Sequence, residues 1–565
     1  MAAQGLDGFI VPRADEHLGE YVPPNAERLA WLTGFTGSAG LAAILPDRAA
    51  VFTDGRYTLQ LAAQTDPALF EACHITEQPP PTWLKDHAAG SRIGYDPWLI
   101  SQDGLDRYRD AGLEMAPASL NPVDLAWTDR PPASAEPAVP HPLAYAGQTS
   151  AEKRADVAAT LRADGQDVAV ITDPASLAWL LNLRGSDVAY TPFALGFVLL
   201  QSDGSAMLFM DAAKLSPATL EWLGPDVRVA AREALPAALA ALSGQQVRVD
   251  AAGSPVWFAQ TLRDAGAEVR DGADPCQLPK ACKNAVEQAG ARAAHTRDAA
   301  AVCQFLHWLD TADRSPLSEV AAAEQLLAFR REVPEFRGES FPAISGAGEH
   351  GAVIHYRATA ESDRPIRANE VYLIDSGAQY PDGTTDITRT VWTGPDAPPP
   401  ELRERFTRVL KGHIALATAR FPQGVAGPHL DAFARRALWQ IGLDYDHGTG
   451  HGVGSYLSVH EGPVSLSRAG RMVPLAPGMI LSDEPGYYLP GAYGIRLENL
   501  LLVRAAELPA AKRPFLEFET LTLAPFDRRL IDTALLAPVE RAWIDAYHAR
   551  VLAEVGPALT TPVME

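Results

Sequence analysis

The chain has 565 residues, of which 47% are hydrophobic and 21% charged, and its formal net charge is −22 at pH 7. This length predicts two to four domains, and the composition is that of a globular protein rather than a disordered one. So acidic a chain is poorly suited to neutralising phosphates, which argues against a nucleic-acid-binding protein.

The cysteines and the first residues indicate the cellular compartment. Four cysteines without a C-x-x-C pair do not make a disulfide framework. Residues 1–20 lack the basic and apolar regions of a signal peptide, and the apolar run Phe193–Leu200 is too short to span a bilayer. We therefore expect a cytoplasmic protein without a membrane segment.

Two segments of the N-terminal half share the same order of features. The string LAWL occurs at Leu29–Leu32 and Leu177–Leu180, and Gly-Ser follows at Gly37–Ser38 and Gly185–Ser186, 148 residues later in both cases. A chance match is the alternative for so short a string. Because an apolar, strand-like run follows each copy, the shared order predicts a distant duplication.

A proline-rich run separates the two copies. Residues 130–142, RPPASAEPAVPHP, contain five prolines, which cannot continue a helix or a central strand, so this run is a predicted linker. We therefore predict two similar α/β domains, at residues 1–130 and 143–275.

Residues 280–565 have a different pattern. Apolar residues recur at helical spacing from Val302 to Leu309, and further helices are predicted at about 318–332, 401–421 and 428–441. Strand-like runs alternate with them: EVYLIDSG, ITRTVW, GMILSDEPGYY and GIRLENLLLV. This alternation predicts a C-terminal α+β domain.

Side chains typical of metal ligands gather in this third segment: Asp375, Asp386, His451, Glu484 and Glu498. Each alone has an ordinary explanation, since an acid at a strand end is usually a solvated turn residue. Together they form an oxygen-rich set that suits manganese, cobalt or zinc. Four acids exceed what one divalent cation neutralises. The set therefore predicts two metals, which can bridge a hydroxide and polarise a carbonyl in the hydrolysis of an amide or phosphate ester.

Strand geometry strengthens part of this prediction. Glu484 and Glu498 each lie seven residues from Gly491 in the turn LPGAYG, so a hairpin centred there would place them opposite each other. Two facing carboxylates repel unless a cation lies between them. Asp375 and Asp386 are less regular: a tight turn at Asp382–Gly383 would not oppose them, and we expect a longer loop or a bulge.

Three histidines near these acids are candidates for proton transfer: His355, His447 and His460. The alternative for each is a surface or packing histidine. His413 and His429 are interpreted as helix-face residues without a role.

Five runs carry a family resemblance: IHYR, DSGAQYPDGTTDITRT, HGTGHGVGSYLSVHEGP, SDEPGYY and GIRLEN. They resemble the motifs of the M24 "pita-bread" metallopeptidases, and within that family the long, three-domain cytosolic aminopeptidases P. FTDGRY, WTDRP and NLRGSDV extend the resemblance upstream, over nearly the whole chain. It implies two creatinase-like α/β domains followed by a pita-bread catalytic domain that removes the residue before proline at position 2 of a peptide.

The resemblance also implies roles for the candidate ligands. Asp375 would bind one metal, Asp386 and Glu498 would bridge both, and His451 and Glu484 would complete the second. The family is usually manganese-dependent, and zinc or cobalt are alternatives. A hydroxide bridging the two metals would be the nucleophile, with Glu484 as its acid/base partner.

Further residues are implied around the substrate. His460 would act at the scissile carbonyl or leaving nitrogen, His355 and His447 would line the substrate pocket, and Arg56 of FTDGRY would reach the peptide. The implied partners are peptides with proline at position 2 and a second copy of the chain in a homodimer, with no nucleic acid and no membrane.

Other functions are compatible with parts of this pattern. A prolidase or a methionine aminopeptidase would share the fold, although the two added domains disfavour the latter. A peptide-binding module without activity is a more distant alternative, disfavoured because all five ligands are present. A serine hydrolase is discounted because GESFP near Ser340 lacks the second glycine of a G-x-S-x-G elbow.

Overall fold

The computed structural model describes residues 1–312 and 317–564. The chain forms two compact units. The N-terminal unit comprises Met1–Pro142 and Gln148–Gln277, and the C-terminal unit comprises Leu143–Gly147 and the chain from Leu278 onward.

A six-stranded sheet with flanking helices forms from residues 1–130. Its strands lie in the order β4-β3-β2-β1-β5-β6; β1, β2 and β3 pair antiparallel and the remaining neighbours pair parallel. The elements are β1 (Gly8–Pro12), α1 (Arg28–Thr33), β2 (Leu41–Ile44), β3 (Ala49–Thr53), α2 (Thr58–Gln64), β4 (Glu71–His74), α3 (Pro80–His87), β5 (Arg92–Tyr95), α4 (Gln102–Asp110), β6 (Glu114–Pro117) and α5 (Pro122–Ala126).

The next part of the chain repeats this arrangement. Its elements are β7 (Val139–Pro140), α6 (Leu143–Ala146), α7 (Ser150–Ala163), β8 (Val168–Ile171), α8 (Pro174–Leu181), β9 (Leu183–Arg184), β10 (Phe197–Gln201), β11 (Ala206–Phe209), α9 (Pro217–Leu223), β12 (Val227–Ala230), α10 (Leu235–Ala240), β13 (Gln246–Val249), α11 (Val256–Asp264) and β14 (Glu268–Asp271). The second sheet has the order β12-β11-β10-β8-β13-β14.

The two sheets have the same topology. β8, β10 and β11 pair antiparallel and their outer neighbours pair parallel, as in the first sheet. LAWL lies on α1 in one copy and α8 in the other, between the equivalent strands β1/β2 and β8/β10, and its first leucine is fully buried in both (Leu29 and Leu177). This confirms the predicted shared fold. The copies differ at the tryptophan: Trp179 is buried, whereas Trp31 is 40% exposed and stacks on Trp127.

The C-terminal unit combines long helices with antiparallel sheets. Its elements are α12 (Gln277–Ala281), α13 (Ala285–Thr311), α14 (Glu319–Arg331), β15 (Gly338–Glu339), β16 (Ile344–Ala347), β17 (Val371–Ser376), β18 (Ala378–Tyr380), β19 (Gly383–Thr384), β20 (Ile387–Trp392), α15 (Pro400–Ala417), β21 (Arg420–Pro422), α16 (Gly427–Trp439), β22 (Gly450–Gly452), β23 (Glu461–Leu466), β24 (Ile480–Asp483), β25 (Gly486–Leu489), β26 (Tyr493–Arg496), β27 (Asn499–Ala506), β28 (Phe515–Thr520), α17 (Pro538–Val555) and α18 (Thr561–Met564).

These elements confirm the predicted α+β class. The main sheet has the order β21-β28-β27-β24-β22-β23, and a second sheet has the order β16-β17-β20. The helix predicted at 401–421 ends at Ala417, because the chain then enters β21, which pairs with β28. None of the described helices is both long and apolar enough to cross a membrane.

Candidate metal centre

The two aspartates belong to one tight hairpin. Tyr380 faces Gly383 across the turn, and the same register continues to the pair Asp375–Thr388. Asp386 precedes Thr388 by two residues, so it lies on the same face as Asp375, as its diagonal neighbour. The expected longer loop or bulge is therefore wrong, because the register does not change between the turn and Asp375, and diagonal neighbours are already close enough to share a site.

The two glutamates lie where another ladder opens. Gly486 pairs with Arg496 and Asp483 with Asn499, which confirms the predicted register centred on Gly491. Between these pairs the ladder is interrupted. The backbone N–H of Glu484 donates to Thr449 O at 2.8 Å, and that of Glu498 donates to Thr388 O at 3.2 Å. Each glutamate is thus tied to the neighbourhood of another predicted ligand, His451 or Asp386.

His451 lies at an irregularity of the main sheet. The register of β22 and β23 shifts between His451 and Gly452, which redirects the side chains there. The ring nitrogen Nδ1 lies 2.9 Å from Gly452 O and donates to it, so Nε2 is the nitrogen that faces the acids. Ser482 Oγ accepts from His451 N at 2.9 Å and donates to Glu484 Oε1 at 3.1 Å, which ties these two residues together.

Predicted ligands from within or beside several strands converge here. Asp386, His451 and Glu498 each offer a ligand atom, and these atoms all lie within 4.8 Å of one another. His451 Nε2 is 3.4 Å from Asp386 Oδ2 and 3.5 Å from Glu484 Oε1. Asp375 adjoins the group through its charge interaction with Asp386.

The site is buried and rich in negative charge. Asp375, Asp386 and Glu498 are all at least 92% shielded from solvent. Burial and mutual repulsion raise the pKa values of Asp375 and Glu498. The same causes raise the pKa of Glu484 to about 7. Burial lowers the pKa of His451, but the hydrogen bond with Asp386 and the charge of Glu484 outweigh it and raise it to about 9. The carboxylates of the site therefore repel one another, and His451 offsets part of this repulsion.

The donor set fits divalent cations. Within residues 1–312 and 317–564, Asp375 Oδ1 is buried and has no hydrogen-bond partner, whereas its Oδ2 accepts from Arg496 Nη2 at 2.6 Å. A bare, buried carboxylate oxygen is unfavourable unless a cation binds it. Carboxylates with one imidazole are the ligands that manganese, zinc or cobalt accept.

A hydrogen-bonded chain that the sequence reasoning missed borders the site. Arg496 Nη1 donates to Tyr488 Oη at 2.8 Å, and Tyr488 Oη lies 2.8 Å from His447 Nε2. Tyr488 lies in the motif SDEPGYY and Arg496 in GIRLEN, but neither is a residue type that commonly binds metals. Arg496 could have been found from strand alternation, since it precedes Glu498 by two residues and shares its face.

The other predicted histidines lie in different settings. The ring of His460 packs edge-on against that of His451, with 4.3 Å between centroids. His355 is half-buried in the irregular segment between β16 and β17. The following residue anchors it, because Tyr356 Oη donates to the buried carboxylate of Glu319 at 2.8 Å.

Arg56 lies in the N-terminal unit, just after β3. Its Nε and Nη2 bind the two carboxylate oxygens of Asp54 at 2.9 and 2.7 Å, and its side chain is 30% exposed. Asp54 therefore holds the guanidinium in a fixed orientation.

Family models match the chain throughout. Residues 289–505 match "Metallopeptidase family M24", residues 514–565 match the C-terminal region of that peptidase family, and residues 1–125 and 129–287 each match "Creatinase/Prolidase N-terminal domain". The fold and the convergent acids thus define a metallopeptidase.

Individual relatives narrow this class. "Aminopeptidase P1" of Lotus japonicus is 39% identical, with 96% of this chain and 93% of the relative covered. "Probable Xaa-Pro aminopeptidase P" of Aspergillus fumigatus is 40% identical, with 98% and 87% covered. The chain belongs to metallopeptidase family M24, among the aminopeptidases P, which confirms the resemblance seen in the sequence.

Solved structures agree. X-prolyl aminopeptidase from Caenorhabditis elegans, described as a cytosolic enzyme with a di-nuclear active site, is 34% identical with a TM-score of 0.93, and 99% of this chain and 94% of that chain are covered. Xaa-Pro dipeptidase from Bacillus anthracis is 23% identical with a TM-score of 0.55. The match includes 67% of this chain and 99% of the dipeptidase chain, and it shows a shared fold.

Proposed function

We propose that this chain is an Xaa-Pro aminopeptidase, which hydrolyses the first peptide bond of peptides with proline at position 2. The observation that carries the proposal is the convergence of Asp386, His451 and Glu498 within 4.8 Å, in a chain about 40% identical to proteins named for this activity. Preference for proline rests on those relatives.

The proposed cofactor is a pair of divalent cations, most simply manganese, with zinc or cobalt as alternatives. Asp375 would hold one, Asp386 and Glu498 would bridge both, and His451 and Glu484 would complete the second. When bound, the two cations would lower the pKa of water and polarise the scissile carbonyl. The unpartnered oxygen of Asp375 and the raised pKa values of Glu484 and Glu498 support this assignment.

The chain's own groups would then move protons and hold the peptide. Glu484 would accept the proton of the attacking water and pass it to the leaving nitrogen. His460, packed against His451, would stabilise the carbonyl or the leaving nitrogen. His355 and His447 would line the pocket, and Arg56 would contact the peptide.

Domain division, assembly and location are part of the same proposal. Residues 1–130, 143–275 and 280–565 would be the three domains, with the first two built on the repeated sheets. The resemblance supports a cytoplasmic homodimer that binds no membrane, and the acidic composition argues against binding of nucleic acid.

A prolidase is the alternative that shares this fold. A prolidase cleaves dipeptides only, whereas the proposed enzyme cleaves peptides of three or more residues. The Bacillus anthracis dipeptidase leaves about a third of this chain unmatched, which favours the larger enzyme.

One assay separates these functions. The manganese-loaded protein is incubated with Arg-Pro-Pro, Arg-Ala-Ala and the dipeptide Arg-Pro, and free arginine is followed by mass spectrometry. We expect release from Arg-Pro-Pro and little from Arg-Ala-Ala. Cleavage of Arg-Pro alone indicates a prolidase, and equal rates on both tripeptides, or none on any substrate, contradict the proposal. Elemental analysis of the loaded protein should give two manganese ions per chain.

A further inference from the structure

His413 on α15 is fully buried and contacts two residues that adjoin proposed metal ligands. Its Nε2 lies 3.0 Å from Asn499 Nδ2, and Asn499 directly follows Glu498. Its Nδ1 lies 3.1 Å from Asp483 Oδ2 and 3.2 Å from the carbonyl oxygen of Asp483, which directly precedes Glu484. The sequence interpretation of His413 as a helix-face residue without a role overlooked these contacts.

The hydrogen-bond partners assign the proton on this ring. Arg389 Nη2 donates to Asn499 Oδ1 at 2.8 Å, and arginine can only donate, so the amide nitrogen of Asn499 faces His413. His413 Nε2 must then accept. The ring proton therefore lies on Nδ1, where it points toward Asp483.

Strand geometry connects this contact to the metal site. Asp483 and Asn499 are direct partners in the ladder of β24 and β27. Since side chains alternate along a strand, the following pair, Glu484 and Glu498, projects from the opposite face. His413 thus bridges the last cross-strand pair before the ladder opens toward Thr449 and Thr388.

The burial of Asp483 makes this bridge important. Asp483 is 0% exposed, and neither of its carboxyl oxygens accepts a well-aligned hydrogen bond from the described residues. The ring of His413, with Nδ1 3.1 Å from Asp483 Oδ2, is a close polar contact that partly compensates the buried acid. A change at His413 would remove this contact from Asp483 at the point where the two strands separate.

We propose that His413 is a positioning residue for the metal centre, which fixes the separation of β24 and β27 and thereby the spacing between Glu484 and Glu498. This inference rests on the proposed two-metal function. Removing the bridge should weaken metal binding although His413 touches no proposed ligand. The change of a residue behind a metal ligand commonly weakens affinity by about 10- to 100-fold.

The test compares His413→Phe, His413→Gln and Thr407→Val with the full-length wild type. Phenylalanine removes both contacts, whereas glutamine can still accept from Asn499. Thr407 is a buried polar residue of the same helix and serves as the matched control, because its hydroxyl accepts from Asp532 N at 2.8 Å and donates to Arg403 O at 2.7 Å. Manganese affinity is measured by chelator competition, and thermal unfolding is measured on the metal-free proteins.

We expect the affinity for the more weakly bound manganese ion to fall about tenfold in His413→Phe, the lower end of the 10- to 100-fold range. The loss in His413→Gln should be smaller. Thr407→Val should lower the unfolding temperature but keep wild-type affinity. Wild-type affinity in His413→Gln and His413→Phe, or an equal loss in Thr407→Val, would overturn the inference. If His413→Phe does not fold, His413→Gln decides. A wild type that binds fewer than two ions or does not cleave Arg-Pro-Pro would instead overturn the proposed function.

Discussion

His447 and Tyr488 share a hydrogen bond of 2.8 Å between ring nitrogen Nε2 and the phenol oxygen. His447 Nδ1 lies 2.7 Å from Gly448 O and must donate to it, so Nε2 accepts and Tyr488 is the donor. Tyr488 in turn accepts from Arg496, whose other terminal nitrogen binds Asp375 at 2.6 Å. A directed chain of hydrogen bonds therefore links a proposed metal ligand to a proposed pocket residue.

Tyr488→Phe should interrupt this chain without disturbing the metals. Loss of a hydrogen bond to a charged group destabilises by about 1.5–3 kcal/mol, so we expect kcat/KM on Arg-Pro-Pro to fall roughly 10- to 100-fold. Metal content should stay at the wild-type value. Tyr487→Phe, on the opposite face of β25, is the control and should retain activity. Wild-type kinetics in Tyr488→Phe would show that the chain does not contribute.

The metal-free protein should lose stability as pH rises. Burial raises the pKa of Glu484 from 4.5 to about 7, and the neighbouring acids raise that of His451 from 6.5 to about 9. A raised folded-state pKa contributes stability that is present below the unfolded value and is lost as pH rises through the folded value. Both groups therefore predict a falling unfolding temperature between about pH 5 and pH 9.

Bound metal should change this dependence. Ligands must be deprotonated to bind, so apparent manganese affinity should increase over the same pH window and binding should release protons. Thermal scans at pH 5.5, 7 and 8.5, with manganese or with chelator, measure both effects. Glu484→Gln should flatten the metal-free slope, because it removes one of the titrating groups. A metal-free protein that becomes steadily more stable up to pH 8.5 would contradict the assignment.

His460→Ala should separate catalysis from metal binding. A positioned acid/base group contributes about 10²- to 10⁴-fold, so turnover should fall by that factor while two ions per chain remain. His451→Ala is the comparison, because His451 Nε2 lies within the convergent group and its loss should remove metal. If His460→Ala loses metal and His451→Ala keeps it, the two assignments must be exchanged.

Strand periodicity made part of the site predictable. Glu484 and Glu498 are the same number of residues from Gly491, so a hairpin that turns at Gly491 pairs them in a predictable register. The same reasoning misjudged Asp375 and Asp386, since it considered opposed pairs and not diagonal ones.

Contacts between distant elements were not predictable in this way. Helical spacing places His413 on a face of α15 but does not tell which strand residues that face meets. The hydrogen bonds of His413 to residues 70 and 86 positions away depend on tertiary packing that no local pattern encodes.

Arg435 on α16 makes contacts that are close in sequence, and it holds the loop that carries His447. Its guanidinium binds Asp431 at 2.6 Å and Asp444 at 2.8 Å, and donates to the carbonyl oxygens of Tyr445 at 2.7 Å and His447 at 2.6 Å. Both Arg435 and Asp431 are at least 99% buried. Arg435→Met would free the loop and leave the charge of Asp431 buried without its partner.

We expect Arg435→Met to lower the free energy of unfolding by about 3–5 kcal/mol, the range for a broken buried ion pair. The neighbouring Arg436 is exposed, so Arg436→Met should change it by less than about 0.5 kcal/mol. Urea denaturation measures both. Arg435→Met should also raise KM for Arg-Pro-Pro, because the His447 loop is no longer anchored. In the double variant Arg435→Met/Asp431→Leu, removal of the unpaired acid should recover part of the stability. KM should remain raised in this double variant, because the loop is still unanchored. Equal stability of the Arg435 and Arg436 variants, or wild-type KM in the double variant, would contradict this role for Arg435.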